Sequence, residues 1–207
     1  MTRASLAISA AGRERDELDE LVRRAARRDR EAQTAVLAAV APRVLAAVRG
    51  VLGVHAADVD DVAQDSLIAL LDALPNFRGD CPIASFACGV AVRTALRSRR
   101  RWLRRAPKHE QYGREQLDVE PAHGVDVQLD RARRLAVLRT LLGALPLPQA
   151  EALALRCILE ADLPEIAAAA GVPVNTVRSR IRLAREALLQ RIDADPSLRA
   201  LFEVDHA

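Results

Sequence analysis

Apolar residues recur at helical spacing along most of the chain, and the places where the recurrence stops divide it. Leu18, Leu21, Val22 and Ala25 fall at intervals of three and four, the mark of one apolar helix face. "AVLAAVAPRVLAAVRGVLG" continues the pattern, with Pro42 predicted near a helix junction and Gly50 and Gly53 near an end. A third helix is predicted from about Ala57 to Leu74, with Asp58 as N-cap and Pro75 as its stop. Val59, Val62, Ala63, Leu67, Leu70, Leu71 and Leu74 form its inward face. "PNFRGDCP", residues 75–82, reads as a loop. A fourth helix follows from about Ile83 to Trp102.

From Arg104 to about Val127 no period survives. "APKHEQYGREQLDVEPAHGVD" mixes Pro, Gly, His and scattered charge, as an exposed linker does. Such a segment cannot bury enough surface to fold alone, so the two flanking parts are expected to be independent units. Helical spacing resumes at Gln128, with Leu129, Leu135, Leu138, Leu141 and Leu142 as a dry stripe. "LPLPQAEALALRCIL" gives the next helix, with Pro146 and Pro148 at its start. "LPEIAAAAG" and "NTVRSRIRLAREALLQRI" form the last pair, and residues 194–207 read as a loose tail.

Composition narrows the class. Half of the 207 residues are hydrophobic and only 2% are aromatic, so Ala and Leu carry the apolar surface and favour helix. The opening twenty residues lack the charge and apolar core of a signal peptide, and the longest apolar runs are interrupted, so no membrane insertion is expected. The net charge of +3 is mild. Lys108 is the sole lysine, so arginine abundance says little and arginine placement carries the argument. Cys81, Cys88 and Cys157 form no C-x-x-C pair and have no nearby His, which fits reduced, structural thiols in a cytoplasmic protein. No glycine-rich phosphate loop, nucleophile motif or metal cluster is present, and the four histidines are scattered. Neither catalysis nor a cofactor nor a bound metal is expected.

Three segments carry candidate chemistry. In "PEIAAAAGVPVNTVRSRI", a short helix, Gly171, three residues and a second helix make a helix-turn-helix. Gly171 suits a positive φ, Ala167 is small enough for a close helix crossing, and Ile166, Val172 and Val177 supply a small core. Asn175 is the predicted N-cap of the second helix. On that helix Val177, Ile181 and Ala184 form the dry face, and Arg178, Arg182 and Arg185 lie on another. Asn175, Thr176, Arg178 and Ser179 could reach base edges, and Arg180, Arg182 and Arg185 could meet phosphates. In "DVDDVAQDSLIALLDAL", Asp61, Gln64, Asp65, Ile68 and Asp72 share a face away from the core, where exposed Ile68 favours docking over mere solvation. The acids sit on a helix without the glycine-bearing loop of a calcium site. "RTALRSRRRWLRR" packs seven arginines into thirteen residues around Trp102, more than helix capping requires. Phosphate contact accounts for the excess.

Taken in order, these segments resemble the extracytoplasmic function (ECF) class of bacterial sigma-70 type sigma factors. "APRVLAAVRGVLG" is similar to the start of the family's region 2. Asp58, Asp61 and Gln64 match its D-x-x-D-x-x-Q core, and "LPEIAAAAGVPVNTVRSRIRLAREAL" resembles its region 4. The resemblance covers roughly residues 20–102 and 130–192. It implies an all-α fold, with region 2 as a helical bundle at 16–102, a flexible linker at 103–127 and a region 4 helix-turn-helix at 128–193. It implies docking on core RNA polymerase through Asp61, Gln64, Asp65 and Ile68. It implies recognition of the −10 promoter element by the loop from Asn76 to Pro82 and the helix after it, with Asn76, Arg78, Asp80, Arg93, Arg97 and Arg100 as candidates. It implies −35 recognition by Asn175 to Arg185, and restraint by an anti-sigma factor. Leu67 and Phe86 stand where the family usually has an aromatic and a tryptophan, and Val92–Arg93 stands where it often has Arg–Asn. The competing reading is a stand-alone helix-turn-helix repressor or activator whose N-terminal helices form an effector domain.

Overall fold

The structure, a computed structural model, describes residues 17–54, 56–105, 135–196 and 199. Most of the expected linker, all four histidines, Leu129, the first sixteen residues and most of the expected tail lie outside the described residues. Every regular element within them is helical. Residues 17–26 form α1, Arg30–Leu52 α2, Val59–Ala73 α3 and Ile83–Arg105 α4, with a 3₁₀ turn at Leu74–Asn76. Residues 135–142 form α5, Leu147–Cys157 α6, Leu163–Ala170 α7 and Val174–Ala194 α8.

Helix α2 is uninterrupted, which corrects the junction expected at Pro42. A proline inside a helix removes one backbone hydrogen bond. Here the buried row Val36, Val40, Val44, Ala47, Val48 and Val51 continues past it and holds the two parts in line. The helix starts where Asp29 accepts a hydrogen bond from the Ala32 N–H at 3.1 Å. Its length and hydropathy would let it cross a membrane, but that buried row is packed into the protein core.

Helices α2, α3 and α4 pack on one another as the N-terminal half. In α3, Val59, Val62, Ala63 and Leu70 are buried as predicted, while Leu67 and Leu71 are only half-buried. Ser66 is buried with them, its hydroxyl donating to the Val62 carbonyl at 2.6 Å. Asp58 stands just before α3 as expected but makes no side-chain cap.

In the C-terminal half, Pro146 precedes α6 and Pro148 lies in its first turn, as the sequence suggests. Helix α7 begins with a reciprocal capping box. Glu165 N–H donates to Asp162 at 2.7 Å, and Asp162 N–H donates to Glu165 at 3.1 Å. Gly171 ends α7 with φ of 64°, the left-handed conformation in which its N–H reaches the Ala167 and Ala168 carbonyls.

The two halves are in contact along α4. Helix α4 packs on α6 and α7 as well as on α2 and α3, and one contiguous core runs through both halves. Small residues make the approach close. A Cβ placed on Gly89 would lie 3.3 Å from the Ala169 Cβ, and one on Gly50 would collide with the Ile158 side chain.

Candidate polymerase and nucleic-acid interface

The burial of α3 defines its outer face by exclusion. With Val62, Ala63, Ser66 and Leu70 inside, Asp61, Gln64, Asp65, Ile68 and Asp72 are exposed together. Ile68 is 53% exposed amid the acids. An isolated apolar side chain on an acidic stripe contributes little to folding but suits a partner that offers basic rim and apolar centre.

The loop after α3 is anchored by aromatic contact. Phe77 and Phe86 rings lie 4.9 Å apart, which ties the loop to the first turn of α4. Gly79, at φ of 78°, turns the chain between them. Asn76, Arg78 and Asp80 are exposed on this loop, and Arg97 is exposed on α4.

Arg93 and Arg100 behave otherwise. Both were expected to face phosphate, yet both are half-buried against the C-terminal half. Arg93 forms a forked ion pair with Glu151 of α6, with N–O distances of 2.6, 3.1 and 3.3 Å. Arg100 donates to the Leu145 carbonyl. Burial and the neighbouring Arg104 push its guanidinium below the usual range. The physical reason is position: Gly89, Arg93 and Arg100 share the side of α4 that receives α6 and α7. Sequence reading missed Glu151. Its signal is a carboxylate inside the apolar run "QAEALALRC", flanked by buried Ala150 and Ala152.

On α8 the three predicted core residues Val177, Ile181 and Ala184 are buried. Asn175, Arg178, Ser179, Arg182 and Arg185 are exposed, and Thr176 and Arg180 are half-buried. The predicted cap is corrected: the N-cap is Pro173, whose carbonyl accepts from the Thr176 and Val177 N–H groups. The helix therefore starts earlier than Asn175 requires, and the Asn175 amide oxygen instead accepts from Arg178 at 2.9 Å. Arg182 pairs with Glu186 one turn later at 2.7 Å. Arg156, Arg178, Arg182, Arg185 and Glu186 line a shallow concavity together with Leu163, Ile181 and Leu189.

The two matched segments coincide with the two halves. Residues 36–105 match Sigma-70 region 2, and residues 135–188 match Sigma-70, region 4. The RNA polymerase sigma factor CnrH of Cupriavidus metallidurans is 32% identical over 151 residues, 69% of this chain and 78% of that protein. The ECF RNA polymerase sigma-E factor of Salmonella typhimurium is 34% identical over 146 residues, 67% of this chain and 76% of that one.

The chain belongs to the ECF class of sigma-70 family sigma factors. It directs transcription initiation. Among solved structures, CnrH in complex with the cytosolic domain of CnrY is 27% identical, covering 84% of this chain and 96% of that one at a TM-score of 0.49. The sigma factor RpoE in complex with the anti-sigma factor NepR from Bartonella quintana is 20% identical, covering 82% and 96% at a TM-score of 0.44.

Of the three cysteines, Cys81 and Cys88 are half-buried and Cys157 is exposed. Burial pushes the Cys88 thiol upward, and its Sγ lies 4.0 Å from the Arg43 carbonyl. Burial also raises Cys81, where Asp80 and Glu165 add to it, and Cys157, where Arg185 and Arg156 act against it. The thiolate is the nucleophile, so a raised pKa means less of it at neutral pH. Iodoacetamide at pH 8 is expected to modify all three more slowly in the native sigma factor than in urea-unfolded protein, Cys88 slowest. Equal rates, read by mass spectrometry, would contradict this.

Proposed function

We propose that the exposed face of α3, through Asp61, Gln64, Asp65 and Ile68, is the docking surface for core RNA polymerase. The loop bearing Asn76, Arg78 and Asp80, with Arg97 of α4, meets the −10 element, and Arg93 and Arg100 join it only when their contacts with Glu151 and the Leu145 carbonyl are released. The first turns of α8 enter the major groove of the −35 element. The observation that carries this reading is the division of α3, whose apolar residues fill the core while Asp61, Gln64, Asp65 and Ile68 stand together in solvent. The sigma factor works in the cytoplasm, performs no catalysis of its own, and is held inactive by an anti-sigma factor, as the family implies. Run-off transcription with core polymerase tests the whole assignment. Promoter-specific transcripts that depend on added protein are expected. Duplex binding without any change in core specificity would instead identify a stand-alone helix-turn-helix regulator.

Within α8, two arginines one turn apart are expected to differ. Arg178 is in the first turns, where it donates to Asn175, and its role is to read a guanine edge. Arg178→Ala is expected to cost about 1–3 kcal/mol and to relax preference at one base pair. Arg182 lies further along and meets phosphate, so Arg182→Ala is expected to weaken all sequences alike and to lower the salt slope by about one. Binding curves for promoter variants at several salt concentrations separate the two. Identical profiles would dismiss the distinction.

A further inference from the structure

Two arginines on the outer face of α8 are tethered in opposite directions. Arg178 is held by a residue before it and Arg182 by a residue after it. We propose that Asn175 is the positioning residue for Arg178. Its amide oxygen fixes the guanidinium for a base pair of the −35 element, so Asn175 sets specificity through the arginine and reads no base itself. This rests on the reading of α8 as the −35 helix.

The local geometry comes first. The N-cap of α8 is Pro173 and no side chain caps the helix, so the Asn175 carboxamide is not spent on capping. Residues three apart on a helix are neighbours. Arg178 Nη1 accordingly donates to Asn175 Oδ1 at 2.9 Å. The tether draws Arg178 toward the end of α8 that enters the groove. Glu186 draws Arg182 the other way, at 2.7 Å.

The chemistry of the two tethers differs as well. A guanidinium carries five N–H donors in one plane. Asn175 takes one, and two of the rest suffice for the forked contact with guanine O6 and N7. The amide oxygen is neutral, so Arg178 keeps its full positive charge, whereas a carboxylate offsets that of Arg182. Asn175 and Arg178 are both exposed, so their pairing holds no core residue in place. In water such a bond is weak, because water competes for both groups. In a groove that displaces water the same bond strengthens. An arginine that arrives already oriented also loses less freedom on contact. The effect of the tether therefore falls on discrimination at one base pair.

The test uses holoenzyme assembled from core polymerase and the full-length chain, on a promoter library randomised over the −35 element. Base preference at each position is read by sequencing the transcripts. Arg178→Ala is expected to flatten the preference at one base pair. Asn175→Ala is expected to reduce it at that same base pair by about two- to tenfold, the range that one net hydrogen bond corresponds to, and to leave the other positions unchanged. The double variant should match Arg178→Ala alone, since the amide then has nothing to hold. Asn175→Asp keeps the accepting oxygen and loses the NH2 group. It should retain the preference, while its added negative charge weakens all sequences alike. Far-ultraviolet circular dichroism identifies any variant that fails to fold. An effective Arg178→Ala with a silent Asn175→Ala would overturn the positioning role. So would a change at a different base pair in Asn175→Ala, or loss of the preference in Asn175→Asp, which would assign the NH2 group to a base. If Arg178→Ala itself flattens nothing, Arg178 reads no base, and that earlier assignment falls together with the positioning.

Discussion

Changing Asp61 and Asp65 together to arginine is expected to abolish retention of the sigma factor by core polymerase while leaving its helices intact. Both carboxylates are exposed on α3 beside Gln64 and Ile68, so their replacement removes no packed atom. Against a basic partner surface the reversal places like charges together and costs several kcal/mol, about 2–5 where a hydrogen-bonded charge pair becomes buried. At 1.4 kcal/mol per decade, that range corresponds to a loss on the order of 30- to 3,000-fold. The measurement is a pull-down with purified core enzyme alongside a far-ultraviolet spectrum. Undiminished retention would show that polymerase does not dock on this face.

Leu70→Ala is expected to do the opposite. Leu70 is fully buried between α3 and its neighbours, five residues beyond Asp65 on the same helix. Removing its side chain leaves a cavity and costs about 2–5 kcal/mol. For a chain of this size, about 2–4 °C is lost per kcal/mol, so Tm is expected to fall by roughly 5–20 °C. Ile68→Ala, only two positions away, removes an apolar side chain from solvent and is expected to leave Tm within about a degree, because surface changes rarely exceed about 0.5 kcal/mol. It should instead weaken polymerase binding. Thermal melts of both variants with core-binding curves test the division. A large drop in Tm for Ile68→Ala would mean that the exposed face also serves stability.

The contrast between those two residues also shows what was legible in the sequence. Spacing alone separated Leu70 from Ile68, because a helix turns each position by a fixed angle and the core then takes one side. The end of α3 and the start of α4 were legible from proline, with Pro75 and Pro82 marking the two breaks. Pro42 misled because a proline penalises a helix without forbidding it, and the valine row on both sides outweighs one lost hydrogen bond. Asn175 misled because capping chemistry is local while the true start of α8 is set by the geometry of Gly171 and Pro173 before it. The exposure of the candidates on α3 and α8 follows from periodicity, whereas those of the loop rest on the family resemblance. The engagement of Arg93 and Arg100 does not, since Glu151 lies 58 residues from Arg93 in the chain and no local pattern links them. A long-range ion pair leaves a trace only as an acid in an apolar run.

The close seating of Gly50 against Ile158 and of Gly89 against Ala169 bears on how far this protein can be treated as interchangeable parts. Chimaeras that join region 2 of one sigma factor to region 4 of another assume that each half brings its specificity and nothing else. Here the halves are matched in shape. A donor region 4 with a bulkier side chain at the position of Ala169, or no acid at that of Glu151, would no longer seat on this α4. Such a hybrid would lose the packing between its halves in the same step, so that a lower melting temperature, rather than altered promoter choice, would be its first visible trait.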